Sequence, residues 1–281
     1  MLKCGVLLFP TDEGPNPVEL ASHAEACGLD SVFLPDHSHI PASRLSPFPS
    51  PPYGELPREY YRIQEPFTTL AAISTATTVL KLGTSVSLII ERDPIHTAKV
   101  VATLDLLSSG RVILGVGAGW NKEEMMNHGT DPKTRTRLLG ERVKAMRRIW
   151  EDDLAEFHGE YVDFDPIYSW PKPIQKPLPV LIGGNGPTVT DRVLEYGDGW
   201  IPGVQKDLDE LQRRIAELRA RATELGKPRP YVALVYARID RFERYADMEV
   251  DQVIVGIDPQ AGTEQALEEI HQMAQAAKTN A

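Results

Sequence analysis

Cysteine is scarce in this chain, with only Cys4 and Cys27 among 281 residues. Both fall at the starts of expected buried elements, so free core thiols are expected rather than a disulfide or a redox pair. Long apolar runs are missing as well. The N-terminal run Val6 to Phe9 stops at Pro10, too short for a membrane span or a signal peptide, and a cytoplasmic protein is expected. A basic excess is also absent: 30 Lys and Arg stand against 40 Asp and Glu, a net charge of −10. That balance lacks the positive field that nonspecific nucleic-acid binding or adhesion to an anionic membrane requires. An anionic ligand remains open, because a few backbone N–H groups can grip a phosphate locally. No repeat or low-complexity stretch divides the sequence, so residues 1–281 read as a single domain.

Short apolar runs and helical patterns alternate along the whole chain. Strands are expected over 3–9, 31–34, 81–90, 111–117, 180–183, 199–204, 231–237 and 252–257, each bounded by Gly, Pro or Asp as buried parallel strands are. Helices are expected over 17–27, 66–75, 94–107, 133–150, 188–196, 208–225, 241–246 and 263–277. Pro17, Pro66 and Pro94 fall where a first helical turn tolerates proline. Leu211, Ile215, Leu218 and Ala222 trace one apolar stripe beneath charged neighbours. Eight such units favour a closed (β/α)8 TIM barrel over a doubly wound open sheet.

Two insertions break the rhythm. Segment 38–65 follows the second strand, is rich in proline and holds Tyr53, Tyr60 and Tyr61; its place above a strand end makes it a candidate substrate lid. Segment 151–176 carries Phe157, Tyr161, Phe164, Tyr168 and Trp170 ahead of the fifth strand. A structural strap across the barrel wall is as good a reading there as a functional site.

The chemistry-bearing residues cluster at strand ends. Gly115, Gly117 and Gly119 lead from the fourth strand into Trp120, and Gly183, Gly184, Asn185 and Gly186 end the fifth. Glycine lets a backbone turn back and approach a ligand closely, and two such loops on neighbouring strands can hold one phosphate from both sides. Tight packing explains either loop taken alone. Asp36, His37, Ser38 and His39 end the second strand. His-x-His suggests metal, but no histidine falls at the end of strand five or six to complete a site, so no metal is expected. His37 as a proton-transfer group beside a ligand fits better, with a purely structural histidine as the alternative. Small and hydroxylated residues from Gly83 to Ser87 leave room for a flat ring, or simply for packing.

Together these pieces resemble the bacterial luciferase-like monooxygenase superfamily, and within it the branch that uses the deazaflavin coenzyme F420. The matching stretches are 28–37, 80–120, 137–150, 157–164, 177–187 and 196–203. The resemblance implies a luciferase-like (β/α)8 barrel with insertion loops and a cofactor ring at its C-terminal mouth. It implies a non-prolyl cis peptide at Ser85–Val86 backing the ring, with Ser85, Val86 and Ser87 as cofactor-binding residues. Asp36 and His37 match the pair at the deazaflavin head, and Gly117, Ala118, Gly119 and Trp120 the phosphate-side loop, with Gly183, Gly184, Asn185 and Gly186 opposite. Some F420-dependent dehydrogenases carry a catalytic Glu where this chain has Trp120, which argues against their sugar-phosphate chemistry here. Asp12 and Glu13 are alternative acids, in a stretch equally readable as a turn.

The resulting expectation is an F420-dependent oxidoreductase that moves a hydride between the deazaflavin and a small organic substrate, with His37 as the catalytic residue. The alternatives are an FMN-dependent luciferase-like monooxygenase and a non-catalytic flavin-binding barrel. A homodimer is expected from the resemblance.

Overall fold

The computed structural model describes residues 2–49, 55–205 and 207–279. Eight parallel strands close into a barrel: β1 (Lys3–Leu7), β2 (Ser31–Leu34), β3 (Lys81–Thr84), β4 (Val112–Val116), β7 (Val180–Gly183), β8 (Gly199–Ile201), β9 (Tyr231–Val235) and β10 (Gln252–Gly256). β1 pairs with both β2 and β10, so the sheet has no open edge. All eight expected strands are present. Several are shorter than expected, β3 most of all: it stops at Thr84, ahead of a cis peptide between Ser85 and Val86, and a 3-10 turn at Ile89–Glu91 replaces the expected continuation.

Helices α1 (Pro17–Cys27), α2 (Pro66–Ala76), α3 (Pro94–Leu107), α5 (Arg135–Glu151), α6 (Val189–Tyr196), α7 (Leu208–Glu224), α8 (Phe242–Asp247) and α9 (Thr263–Thr279) surround the barrel. The prolines at the first turns of α1, α2 and α3 follow side chains that satisfy freed amides: Asn16 accepts from Val18 N at 2.9 Å, Glu65 from Thr68 N at 2.7 Å and Asp93 from His96 N at 2.7 Å. The apolar stripe of α7 is buried as expected. Between helices and strands lies one continuous apolar layer; a smaller cluster inside the barrel, with Phe33, Leu181, Ile201 and Ile254, plugs its centre. The inner fit is tight, because a Cβ on Gly83 would lie 2.3 Å from the Phe33 ring. The barrel is therefore a filled core, and chemistry is confined to its ends.

The described parts of both insertions take definite form. The second folds into an antiparallel hairpin, β5 (Ala155–His158) with β6 (Asp163–Ile167). Its turn is held by Glu141 of α5, which accepts from the amides of Glu160, Tyr161 and Val162 at 3.0, 2.7 and 3.0 Å. Past the hairpin, Asp105 of α3 accepts from the amides of Ile174 and Gln175. It is a strap. The first insertion crosses the C-terminal mouth and is tied down by Arg58–Glu13 and Arg62–Asp12 pairs at 2.6 and 2.5 Å. A short helix absent from the sequence reading, α4 (Lys122–Asn127), anchors its other side: Glu123 accepts from Leu45 N and Ser46 N at 3.2 and 3.4 Å. Tyr53 of the expected aromatic lid cluster lies outside the described residues. No helix of the described residues is long and apolar enough to cross a membrane.

Candidate active site

The C-terminal strand ends surround a cavity of about 410 Å³ beneath the first insertion. The loop after β4 supplies Gly117, Ala118, Gly119 and Trp120 to its wall, and the loop after β7 supplies Gly183, Gly184 and Gly186. β4 and β7 are hydrogen-bonded neighbours despite the strap between them in sequence, so the two glycine loops face one space as expected. Gly119 and Gly184 have φ of +64° and +123°, conformations that glycine adopts without a steric penalty. Gly117 and Gly183 are glycines for another reason. Val86 wedges between them, and a Cβ at either position would lie 2.4 or 2.6 Å from a Val86 methyl. Close packing, not ligand approach, dictates these two.

Arg135 and Arg192, which the sequence reading passed over, also line the cavity. Neither forms an ion pair among the described residues. They stand beside the glycine loops, on α5 and α6, and give an overall acidic chain one local cationic patch. A flat ring against Ser85 and Val86, with an anionic tail toward the arginines, fits this arrangement of donors and open backbone.

Asp36 is buried, and its carboxylate is fully engaged by the protein. Oδ2 accepts from Ser87 Oγ at 3.0 Å, Leu88 N at 2.9 Å and Arg92 Nε at 3.1 Å, while Oδ1 accepts from Arg92 Nη2 at 2.8 Å. Asp36 thus fixes the backbone that follows the cis peptide. Ser87, expected at the cofactor, sits behind the cavity wall with its hydroxyl spent on Asp36. Asn185 is similarly displaced: its Oδ1 accepts from Gly203 N at 2.9 Å and from Gln205 Nε2 at 2.8 Å, tying the β7 loop to the end of β8 rather than facing the cavity. Asp12 and Glu13 are lid anchors, because their carboxylates are paired with Arg62 and Arg58.

His37 is buried and lines the cavity. Its Nδ1 lies 2.6 Å from Glu124 Oε2, and Trp120 Nε1 donates to its Nε2 at 3.3 Å. With Nδ1–H donating to the carboxylate, Nε2 is left as the acceptor on the Trp120 side. Glu124 is completely buried and its Oε1 also accepts from Ser38 N at 2.9 Å. Beside it lies Glu91, whose carboxyl hydrogen-bonds Glu124; burial first, then the Glu124 and Asp36 carboxylates, push its pKa up to about 9. Glu91 is therefore neutral at pH 7 and donates to Glu124. Sequence reasoning found His37 and Trp120 but missed Glu91 and Glu124. The signal for Glu124 was its place four residues after Trp120, on a helix too short to show periodicity.

His39 faces away, with Nδ1 2.8 Å from Ser38 Oγ and Nε2 2.8 Å from Asn127 Nδ2. Among the described residues, no group of three or more His, Cys, Asp or Glu side chains is placed to hold a metal ion. A larger hollow of about 530 Å³, lined by Lys3, Lys81 and Tyr231 among others, opens at the N-terminal strand ends. That end of such barrels carries stability rather than catalysis.

The fold and the site define a (β/α)8 barrel with an arginine-edged cavity and a buried imidazole–carboxylate pair at its C-terminal mouth. The luciferase-like monooxygenase family matches residues 10–240. The chain belongs to that family. An uncharacterised protein of Mycobacterium tuberculosis is 37% identical over 265 residues, covering 93% of this chain and 94% of its own length. An F420-dependent glucose-6-phosphate dehydrogenase of Amycolatopsis mediterranei is 32% identical over 228 residues, 77% of this chain and 63% of that protein. Among solved structures, the monooxygenase RslO1 from Streptomyces bottropensis superposes with a TM-score of 0.82 at 18% identity, over 99% of both chains. An F420-dependent secondary alcohol dehydrogenase in complex with an F420-acetone adduct gives 0.80 at 19% identity, over 98% of both. Both structures share the barrel.

Proposed function

We propose that the protein is an F420-dependent oxidoreductase that moves a hydride between the deazaflavin and a small organic substrate. The observation that carries this reading is the His37–Glu124 pair opening onto the same cavity as the two glycine loops and Arg135 and Arg192. F420-dependent enzymes among the relatives support the cofactor.

The deazaflavin, when bound, supplies the two-electron hydride chemistry. The remaining work falls to side chains of this chain. Arg135 and Arg192 would hold the anionic tail, while Ser85 and Val86 would back the ring. Glu124 fixes the His37 tautomer, so that Nε2 presents its lone pair toward the cavity. Trp120 occupies that lone pair until a substrate hydroxyl replaces the indole N–H. Nε2 then takes the hydroxyl proton as the alcohol is oxidised, or returns it when a carbonyl is reduced. The resulting imidazolium is stabilised by the buried Glu124 carboxylate.

The glycine loops and arginines would also suit FMN. Titrating the apo-protein with each cofactor separates the readings: the F420 proposal requires saturable F420 binding, and binding of FMN alone would overturn it. The expected homodimer is a proposal on the same footing, checked by light scattering.

A further inference from the structure

Beyond the cavity of His37 lies a second chamber of about 570 Å³, over the ends of β1, β9 and β10 and beneath the first insertion. Three residues belong to both spaces: Phe48, Tyr60 and Tyr236. Their rings form a partition. Tyr60 lies 5.5 Å from the His37 ring, 5.1 Å from Phe48 and 4.9 Å from Phe9, centroid to centroid. Desolvation pushes both the Tyr60 and the Tyr236 phenols up, so both stay neutral. Tyr236 holds φ of +57° at the end of β9, a conformation rare for a bulky side chain and tolerated where the surroundings demand it.

The two spaces differ in charge. The His37 cavity carries Arg135 and Arg192. The described lining of the second chamber holds no cation; Leu7, Phe9, Val204 and Ile257 give it apolar walls, and its only charged side chains are Glu59 and Asp258. Glu59 Oε2 is buried without a hydrogen-bond partner. Such a chamber repels a carboxylate or phosphate and offers one free acceptor to a neutral donor.

We infer that this chamber is the substrate pocket, and that it takes an uncharged alcohol or ketone with an apolar body, not a sugar phosphate or other anion. The inference rests on the proposed function for the identity of the neighbouring cavity as the cofactor site. The reacting oxygen would reach past Tyr60 to His37 while the apolar body fills the space between Phe9, Val204 and Ile257.

Two probes with one carbon skeleton test it: decan-2-ol, and 9-hydroxydecanoate, which adds a terminal carboxylate. Binding to the full chain is read by calorimetry, with no turnover required. Decan-2-ol should bind saturably and about tenfold or more tighter than the anion. Gly256→Phe supplies the blocking variant, since a Cβ there meets open space and its φ is not positive. It should weaken decan-2-ol about tenfold or more and leave F420 affinity unchanged. Equal or tighter binding of the anion, or an unaltered affinity in Gly256→Phe with the fold intact by circular dichroism, would overturn the assignment. F420 titration of the wild type is scored separately. Failure there removes the cofactor reading, whereas failure of the alcohol pair removes only the pocket.

Discussion

His37 Nδ1 and Glu124 Oε2 stand 2.6 Å apart, although 87 positions separate the two residues in the chain. One lies in the loop just after β2 and the other on the short helix after β4, so only barrel closure brings them together. The pair converts a lone histidine at a strand end into an oriented acid–base group, with its outer nitrogen toward the cavity and its inner one on a carboxylate. Replacing His37 with Ala should lower kcat by about 10² or more while F420 affinity changes little. Single-turnover measurements that find the chemical step undiminished would remove His37 from the mechanism.

Glu124→Gln keeps the shape and removes the charge that stabilises a protonated His37. An approximately tenfold or larger loss in kcat is expected, with a displaced pH profile and little change in KM. A merely structural Glu124 would leave the pH profile where it is.

Glu91 gives a sign-definite pH effect on stability. Its pKa is raised from 4.5 to about 9, so the folded state holds a proton that the unfolded chain releases. The associated stability is fully present below pH 4.5 and is lost as the pH rises toward 9, by at most about 1.4 kcal/mol per pH unit. Glu91→Gln mimics the protonated form. The melting temperature of the variant should match the wild type near pH 5 and exceed it increasingly toward pH 8.5; parallel curves across that range would contradict the assignment.

Gly117→Ala and Gly183→Ala should each destabilise by about 1–3 kcal/mol through overlap with Val86. Combining either with Val86→Ala should cost less than the sum of the two changes, because the clash has been removed. Strict additivity in denaturant melts would show that Val86 is not the obstacle.

Arg135→Ala and Arg192→Ala should weaken the cofactor by about tenfold each and leave kcat at saturation nearly unchanged. Cofactor binding by the wild type should also weaken with added salt. An affinity indifferent to both substitutions would place the anionic tail elsewhere.

The barrel was legible because buried parallel strands leave continuous apolar runs closed by Gly, Pro or Asp, and all eight do so here. β3 was read too long because its apolar and hydroxylated composition continues through Ile90, while the regular ladder ends at Thr84 and a lone bridge at Ser87–Val116 follows it. Glycine loops and His37 were legible from their position at strand ends. The roles of Ser87 and Asn185 were not, since a polar residue beside a cavity reads the same whether it faces a ligand or, as these do, holds the wall. Glu91, Glu124, Arg135, Arg192 and Tyr236 carry no local motif. Their meaning comes from elements distant in sequence packing over one mouth.

The most direct test is a fluorescence titration of purified apo-protein with F420, repeated with FMN and with the Arg135→Ala variant. The account predicts saturable one-site binding of F420 that is weakened by the arginine substitution. Binding of FMN without F420, or of neither, would contradict it.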